Sequence, residues 1–426
     1  MAKHVIFLGA GASYTSGYPL AVGLRQLFSS AHTFGNYLNE KIGQRDSLAK
    51  TLLAKWFSDL SEPIELFREG GFGTVDEFSS LAGKQFPQEV HEIKQLVGLI
   101  LALHNPEKSY KSPSGQETNG FESSDYYPFI QRLFRERDDL RDDVAILSYN
   151  YDPYFEFLLS RAYRRRREAS GKKEPIIPPT ELTSGFRDRD AKAIIERKGF
   201  CLLKLHGTCV LPSQPTGTGS LQNGILTYNE VFGERDKWVE GRNNWSVKTN
   251  PSPAMYFPWE LLDDKGEFVT QDKFAGLEGL APQNDYLPQG RTLHELCKRI
   301  WQRAQREIID AEKISFIGLS MHEFLEPGLR YLFAERVRKL EASPTNDFDF
   351  TLKIVIACPG AWRQGDTFKS EPPSNSLVAK LAGMLSTVNP KMALKPGRIN
   401  TQNSGGNAVG GVICYENFKS FIEAEM

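Results

Sequence analysis

Few folds accommodate a buried strand that runs straight into a Gly-x-Gly turn and then a helix, and residues 3–28 read that way. Lys3-His4-Val5-Ile6-Phe7-Leu8 is apolar and contains β-branched residues. Gly9-Ala10-Gly11-Ala12-Ser13 follows at once, and from Tyr18 to Phe28 the residues Leu20, Leu24, Leu27 and Phe28 repeat at helical spacing. Such a unit can hold a diphosphate: glycines let the backbone approach an anion, a helix N-terminus offers free N–H groups, and Ser13 adds a hydroxyl. The usual dinucleotide fingerprint has a third glycine and an acidic residue after a second strand. Here Tyr14 stands where that glycine belongs, and Leu38 to Phe57 continues in a helical pattern. A redox dinucleotide site is therefore disfavoured, while a tight turn in an ordinary α/β domain stays open.

The bulk numbers exclude several classes. At 426 residues the chain is long enough for one large domain with insertions or for two domains. With 40% apolar and 25% charged residues it reads as globular, and a net charge of −1 supplies no general field for nucleic acid or membrane. Its five cysteines include no C-x-x-C pair, against a zinc ribbon or a disulfide framework; no metal site is expected. No basic segment followed by an apolar stretch opens the chain, and no apolar run approaches about 18 residues. Neither a secretory signal nor a membrane span is expected, and the cytoplasm is the expected location.

Further strands are expected at Val144–Ser148, Cys201–Leu205, Lys313–Ile317, Leu352–Ile356 and Gly411–Cys414. Helices are expected between them, most clearly over 153–166, 293–312 and 327–341, with one more near 375–386. Residues 31–139 read as a mostly helical insertion, in which Thr74 or Asp76 could cap a helix. Residues 210–290 read as an irregular insertion, whose Pro253, Tyr256, Phe257, Pro258 and Trp259 suit local packing, part of a lid or a protein contact. The expected fold is α/β: a Rossmann-like parallel sheet of about six strands with helices on both faces. It forms a single domain over 1–426, with its core in 1–30, 140–210 and 290–426. A basic stretch over 161–173 suits the solvated end of a helix or a phosphate contact.

In parallel sheets ligands sit beyond the carboxyl ends of the strands. Gly9 to Ser13, Tyr149-Asn150-Tyr151-Asp152, His206-Gly207 and Gly318-Leu319-Ser320 all fall at such ends. This set holds no nucleophile elbow, no metal cluster and no clear acid–base carboxylate pair. It does suit cleavage of a ribose–nicotinamide bond. That leaving group is already cationic, so the site need only fix the ribose and orient one nucleophile. An Asn amide can hold a water or hydroxyl, and a His near neutral pKa can take its proton. Each residue also has an ordinary structural reading: a satisfied histidine, a turn asparagine, and an N-cap Asp152 before Pro153.

Gly9-Ala10-Gly11-Ala12-Ser13 with Gly17-x-Pro19, then Tyr149-Asn150-Tyr151-Asp152, Lys204-Leu205-His206-Gly207 and Gly318-x-Ser320, resembles the sirtuin superfamily. The nearer likeness is to the bacterial sirtuin-like proteins of anti-phage defence. The resemblance implies a sirtuin-like domain that binds NAD as substrate. Ala10, Gly11 and Ser13 would hold the diphosphate, Gly9 and Pro19 would also bind the cofactor, and Gly318 and Ser320 would lie near the adenosine side. Asn150 and His206 would be the catalytic pair, with Asp152 near the nicotinamide or its ribose. Leu20-Ala21-Val22 replaces the Asp-Phe-Arg of deacylating sirtuins, and their paired C-x-x-C motifs are absent. The likeness thus implies an NAD hydrolase giving nicotinamide and ADP-ribose, or a cyclic isomer. Its activation would come through homo-oligomerisation or a separate sensor, such as a HerA-type ATPase or an Argonaute-like protein, so nucleic acid would act only indirectly. An NAD-dependent deacylase, an ADP-ribosyltransferase and a non-catalytic NAD or ADP-ribose sensor are the alternatives.

Overall fold

The computed structural model describes residues 4–42, 47–83, 85–104, 110–111, 117–118, 124–136, 139–171, 199–212, 253–263, 266–269, 293–319, 326–342, 353–357, 363–364, 367–368, 399–401, 412–415 and 418–426. Ser320, Lys172, Lys173, most of the irregular insertion and the helix expected near 375–386 lie outside the described residues.

The apolar runs form strands: β1 (His4–Leu8), β2 (Val144–Ser148), β3 (Cys201–Lys204), β4 (Gly207–Pro212), β5 (Pro253–Met255), β6 (Lys313–Ile317), β7 (Lys353–Ala357), β8 (Ile399–Thr401) and β9 (Val412–Tyr415). All but β4 and β5 belong to one sheet in the order β8-β9-β7-β6-β1-β2-β3. Every pairing in it is parallel, with Ile6 opposite Ile146 on one side and Ser315 on the other. The sheet thus has seven strands where about six were expected. The addition is β8, three residues long and set in a stretch that reads as loop, too short for a period-2 pattern to register.

Helices α1 (Ala21–Leu27), α2 (Ala31–Lys41), α3 (Ser47–Asp59), α4 (Ser61–Glu69), α5 (Val75–Ala82), α6 (Pro87–Leu103) and α7 (Tyr126–Arg132) lie between β1 and β2. They are followed by α8 (Tyr154–Ala169), α9 (Pro258–Leu261), α10 (Leu293–Ile309), α11 (Glu326–Glu341) and α12 (Phe418–Glu425). Every residue of β1, β2 and β3 is buried, because the sheet is covered on both faces. Ile6, Leu8, Val144, Ile146 and Leu202 join a core with α2 to α8 and α12. On the opposite face Phe7 stacks on Phe316 at 4.7 Å. There α10 presents Cys297, Ile300, Ala304 and Ile308, the stripe read from its spacing, all fully buried. Arg336 of α11 closes the C-terminal end of α10 by donating to the carbonyls of Ile308 and Ala311, both at 2.8 Å.

Within the helical insertion this shared core is built on rings: Phe34 stacks on Phe57 at 4.4 Å, and Phe28 meets Phe67 edge-on at 6.1 Å. The helical pattern of residues 38–57 divides between α2 and α3. Thr74 is the residue that caps α5, its Oγ1 accepting the Glu77 N–H at 3.1 Å. In the basic stretch, Arg166 lies 4.3 Å over the Phe134 ring and donates to Gln131, so its stem covers apolar surface. Among the described residues no helix is long and apolar enough to cross a membrane.

One expectation at the start of the chain is corrected. No α-helix springs from the Gly-x-Gly turn; two 3-10 turns, Ala10–Ala12 and Tyr14–Ser16, come first, and α1 begins only at Ala21. Ala12 and Ser13 donate their N–H groups back to Gly9 and Ala10, and Gly11 donates to the Gly318 carbonyl at 2.8 Å. Local i→i−3 bonds have taken up the donors that a helix start would leave open.

Candidate functional site

Strands β2 and β3 lie to one side of β1, and β6 and β7 to the other. The direction of sheet growth therefore reverses between β1 and β6, where parallel sheets open a crevice at their carboxyl ends. The turns after these two strands meet at backbone contact. A Cβ on Gly9 would stand 2.5 Å from the Gly318 carbonyl oxygen, and one on Gly11 2.9 Å from the Gly318 Cα. Gly318 itself has φ +58°, and a Cβ there would overlap the Ala12 amide nitrogen. These glycines are required by close approach of two loops as well as by any ligand.

Beside this junction lies a pocket of about 800 Å³, counting its open mouth. Gly9, Ala10, Pro19, Asn150, Asp152 and His206 line it, so six of the ten candidate residues share one space. Leu319 rather than Gly318 faces it from the second turn. Ser13 is fully buried behind the wall. Its Oγ accepts from Asn150 Nδ2 and donates to Asp152 Oδ1, both at 3.2 Å, and also lies 3.2 Å from the Tyr126 hydroxyl. The serine thus acts on the two site residues, aligning both.

Asn150 keeps its carbonyl oxygen, Oδ1, buried with no hydrogen bond, and both ring nitrogens of His206 are in the same condition. These atoms belong to residues that line the pocket and can hydrogen-bond a ligand or a water there. His206 packs among Tyr149, Tyr151 and Trp301, with ring centroids at 5.1, 6.2 and 5.5 Å. Trp301 is oriented by its own bond to the Leu205 carbonyl at 2.6 Å. Burial drives the imidazole down to about 3, against an opposing pull from the Tyr256 backbone, so the ring is neutral at physiological pH.

Asp152 does two things. Its Oδ1 accepts the Tyr154 N–H at 3.0 Å, starting α8 one residue later than an N-cap at 152 would, while the residue still lines the pocket. Burial raises its pKa, and the nearby Lys204 ammonium lowers it. Lys204 is itself buried, donating to the Asp152 carbonyl at 2.6 Å and pairing with Glu156 at 3.1 Å. That charge stays beneath the site.

Two parts of the pocket come from the insertions. Asp76, read from sequence only as a helix-cap candidate, lines the wall opposite the strand ends. Its Oδ1 accepts from the Tyr151 hydroxyl at 3.4 Å. Burial raises its carboxyl to about 6; the Tyr151 bond lowers it and the Glu260 charge raises it. Phe257 and Pro258 form another part of the wall, anchored to the helical insertion. Glu260 receives the buried Lys94 ammonium at 2.5 and 2.7 Å and the Phe257 N–H at 2.6 Å. Trp259 donates to Ser79 at 3.0 Å. Of this segment, Trp259 packs against α5 while Phe257 and Pro258 line the pocket. No sequence period points to Asp76, because its role depends on which face α5 turns toward the sheet.

Among the described residues no group of three or more His, Cys, Asp or Glu side chains is placed to hold a metal ion. No protein-family model matches this chain, and no curated protein matches it significantly in sequence.

Proposed function

We propose that this pocket binds NAD and hydrolyses the bond between nicotinamide and ribose. The observation that carries the reading is the meeting of three unpartnered buried atoms, Asn150 Oδ1 and both His206 nitrogens, beside a Gly-x-Gly turn where the sheet reverses direction. The strands from β3 through β1 to β7 follow the doubly wound order of Rossmann-like dinucleotide sites, with the helical and irregular insertions added to that core. Asn150, held by Ser13, offers an amide oxygen to a ribose hydroxyl or a water. His206 lies beside it as the base of this reading, a role that requires bound substrate to raise its pKa from about 3 toward neutrality. A positioned base is worth about 10²–10⁴-fold in rate, and orientation adds the larger share.

NAD cleavage needs no general acid, since the departing ring already carries positive charge. The defence role, self-assembly and a separate sensor such as a HerA-type ATPase or an Argonaute-like protein belong to this proposal through the sirtuin resemblance alone, while the cytoplasmic setting is proposed from cysteines that form no C-x-x-C pair. The test is incubation of purified protein with NAD, with chromatographic separation of nicotinamide, ADP-ribose and cyclic isomers. Release of nicotinamide that Asn150→Ala and His206→Ala each abolish, with unchanged circular dichroism, supports the reading. Release only with a peptide acceptor points to deacylation or ADP-ribosyl transfer. Binding without turnover at every protein concentration reduces the site to a sensor.

A further inference from the structure

The described wall of the pocket contains two carboxylates, Asp76 and Asp152, and no lysine or arginine. Tyr149, Tyr151 and Phe257 line the same space. Carboxylate charge with aromatic faces is the chemistry that recognises a flat organic cation, and it repels a phosphate. The opening glycine turn adds little for an anion here, because the N–H groups of Gly9, Gly11, Ala12 and Ser13 all donate to backbone carbonyls.

We propose that this part of the pocket is a subsite for a planar nitrogen cation, a pyridinium, and that Asp76 is the residue that selects for its charge. Resting on the NAD reading, this places the nicotinamide ring, and not the diphosphate, against α5. It goes beyond that reading by naming a selecting residue from the helical insertion. Of the two carboxylates Asp76 is the one with no lysine or arginine charge acting on it. Asp152 Oδ1 is taken by Ser13 and the Tyr154 N–H, and Lys204 lies beside it. On Asp76 one oxygen accepts from Tyr151, and the other has no hydrogen bond among the described residues. The groups that face Asp76 are few: the Tyr151 hydroxyl and Glu260, whose charge is matched by Lys94. Within α5 itself Glu77 turns away to accept the Gly73 N–H at 2.5 Å. His206, across the pocket, is neutral. The arrangement favours the oxidised dinucleotide over the reduced one, whose ring is uncharged.

The experiment uses 1-methylnicotinamide, a pyridinium that lacks ribose and phosphate, with neutral nicotinamide as its control, and binding to the full chain is measured by calorimetry. Saturable binding of the cation at pH 7.5, at least fivefold tighter than nicotinamide, is expected. It should weaken about tenfold at pH 5, as a carboxyl with pKa near 6 gains its proton. Asp76→Asn should erase both the preference and the pH dependence. Tyr151→Phe, which keeps the ring and frees the carboxylate, should keep the preference. Equal binding of cation and neutral base, no binding of the cation, or a preference that survives Asp76→Asn overturns the proposal. None of these readouts needs turnover, so a protein that binds the cation yet releases no nicotinamide from NAD sinks the hydrolase reading and leaves this one standing.

Discussion

Ser13 shows how much one buried hydroxyl can organise. It holds Asn150 Nδ2 and Asp152 Oδ1 at once, joining the turn after β1 to the turn after β2. Ser13→Ala leaves both groups short of a partner in a dry site. The expected cost is about 1–3 kcal/mol in stability, read by urea unfolding, with NAD turnover down at least tenfold as Asn150 loses its alignment. Gly318→Ala is a harsher change of one methyl. It meets a left-handed φ and a backbone nitrogen that cannot move aside, so a loss upward of about 3 kcal/mol is expected by the same measurement. The spacing of motifs pointed to all of these residues. The partners of Ser13 were not legible, because they are separated from it by 137 and 139 positions and nothing local encodes the pairing.

The elements were legible where period and length agreed. Helix α10 declares itself through one apolar stripe, and β1 and β2 through continuous apolar runs of the kind that buried parallel strands require. The segment around α9 was harder to read, since four helical residues carry no period, and its place is set by Lys94 reaching Glu260 across 166 positions. This buried pair is the latch between α6 and α9. Glu260→Gln strands the ammonium of Lys94 in a dry interior, and a cost of about 3–5 kcal/mol is expected from chemical denaturation. Lys94→Met with Glu260→Leu should recover most of that stability. Pocket affinity for 1-methylnicotinamide should then report whether the apolar replacement still holds Phe257 and Pro258 in position.

Across the whole molecule, the pH dependence of stability collects the buried groups. His206 binds its proton at about 3 in the folded chain but near 6.5 when unfolded, so below about 6.5 the unfolded state takes up more protons and stability falls. At pH 5 this one residue withdraws about 2 kcal/mol. His91, held down to about 3 chiefly by burial, acts in the same direction. Asp76 acts against them: raised to about 6, it binds a proton more readily when folded, and its contribution grows as pH falls from about 6 toward 4. His206→Gln should therefore flatten the loss of stability between pH 7.5 and 5 by about 2 kcal/mol relative to the parent, measured by urea titrations at both pH values. An unchanged slope would mean that the ring is already hydrated or charged in the native protein.

The amino-acid order alone determines the material of this protein: apolar runs that must become covered strands, stripes that must become helices, and small or polar residues gathered where strands end. Those are local matters of period, side-chain shape and backbone freedom. Contact between the turn at Gly9 and the turn at Gly318, the turning of Asp76 into the pocket and the reach of Lys94 to Glu260 come only from the folded chain. Such contacts join segments far apart in the sequence, and their energy depends on packing, desolvation and distance, none of which exists until the sheet has formed.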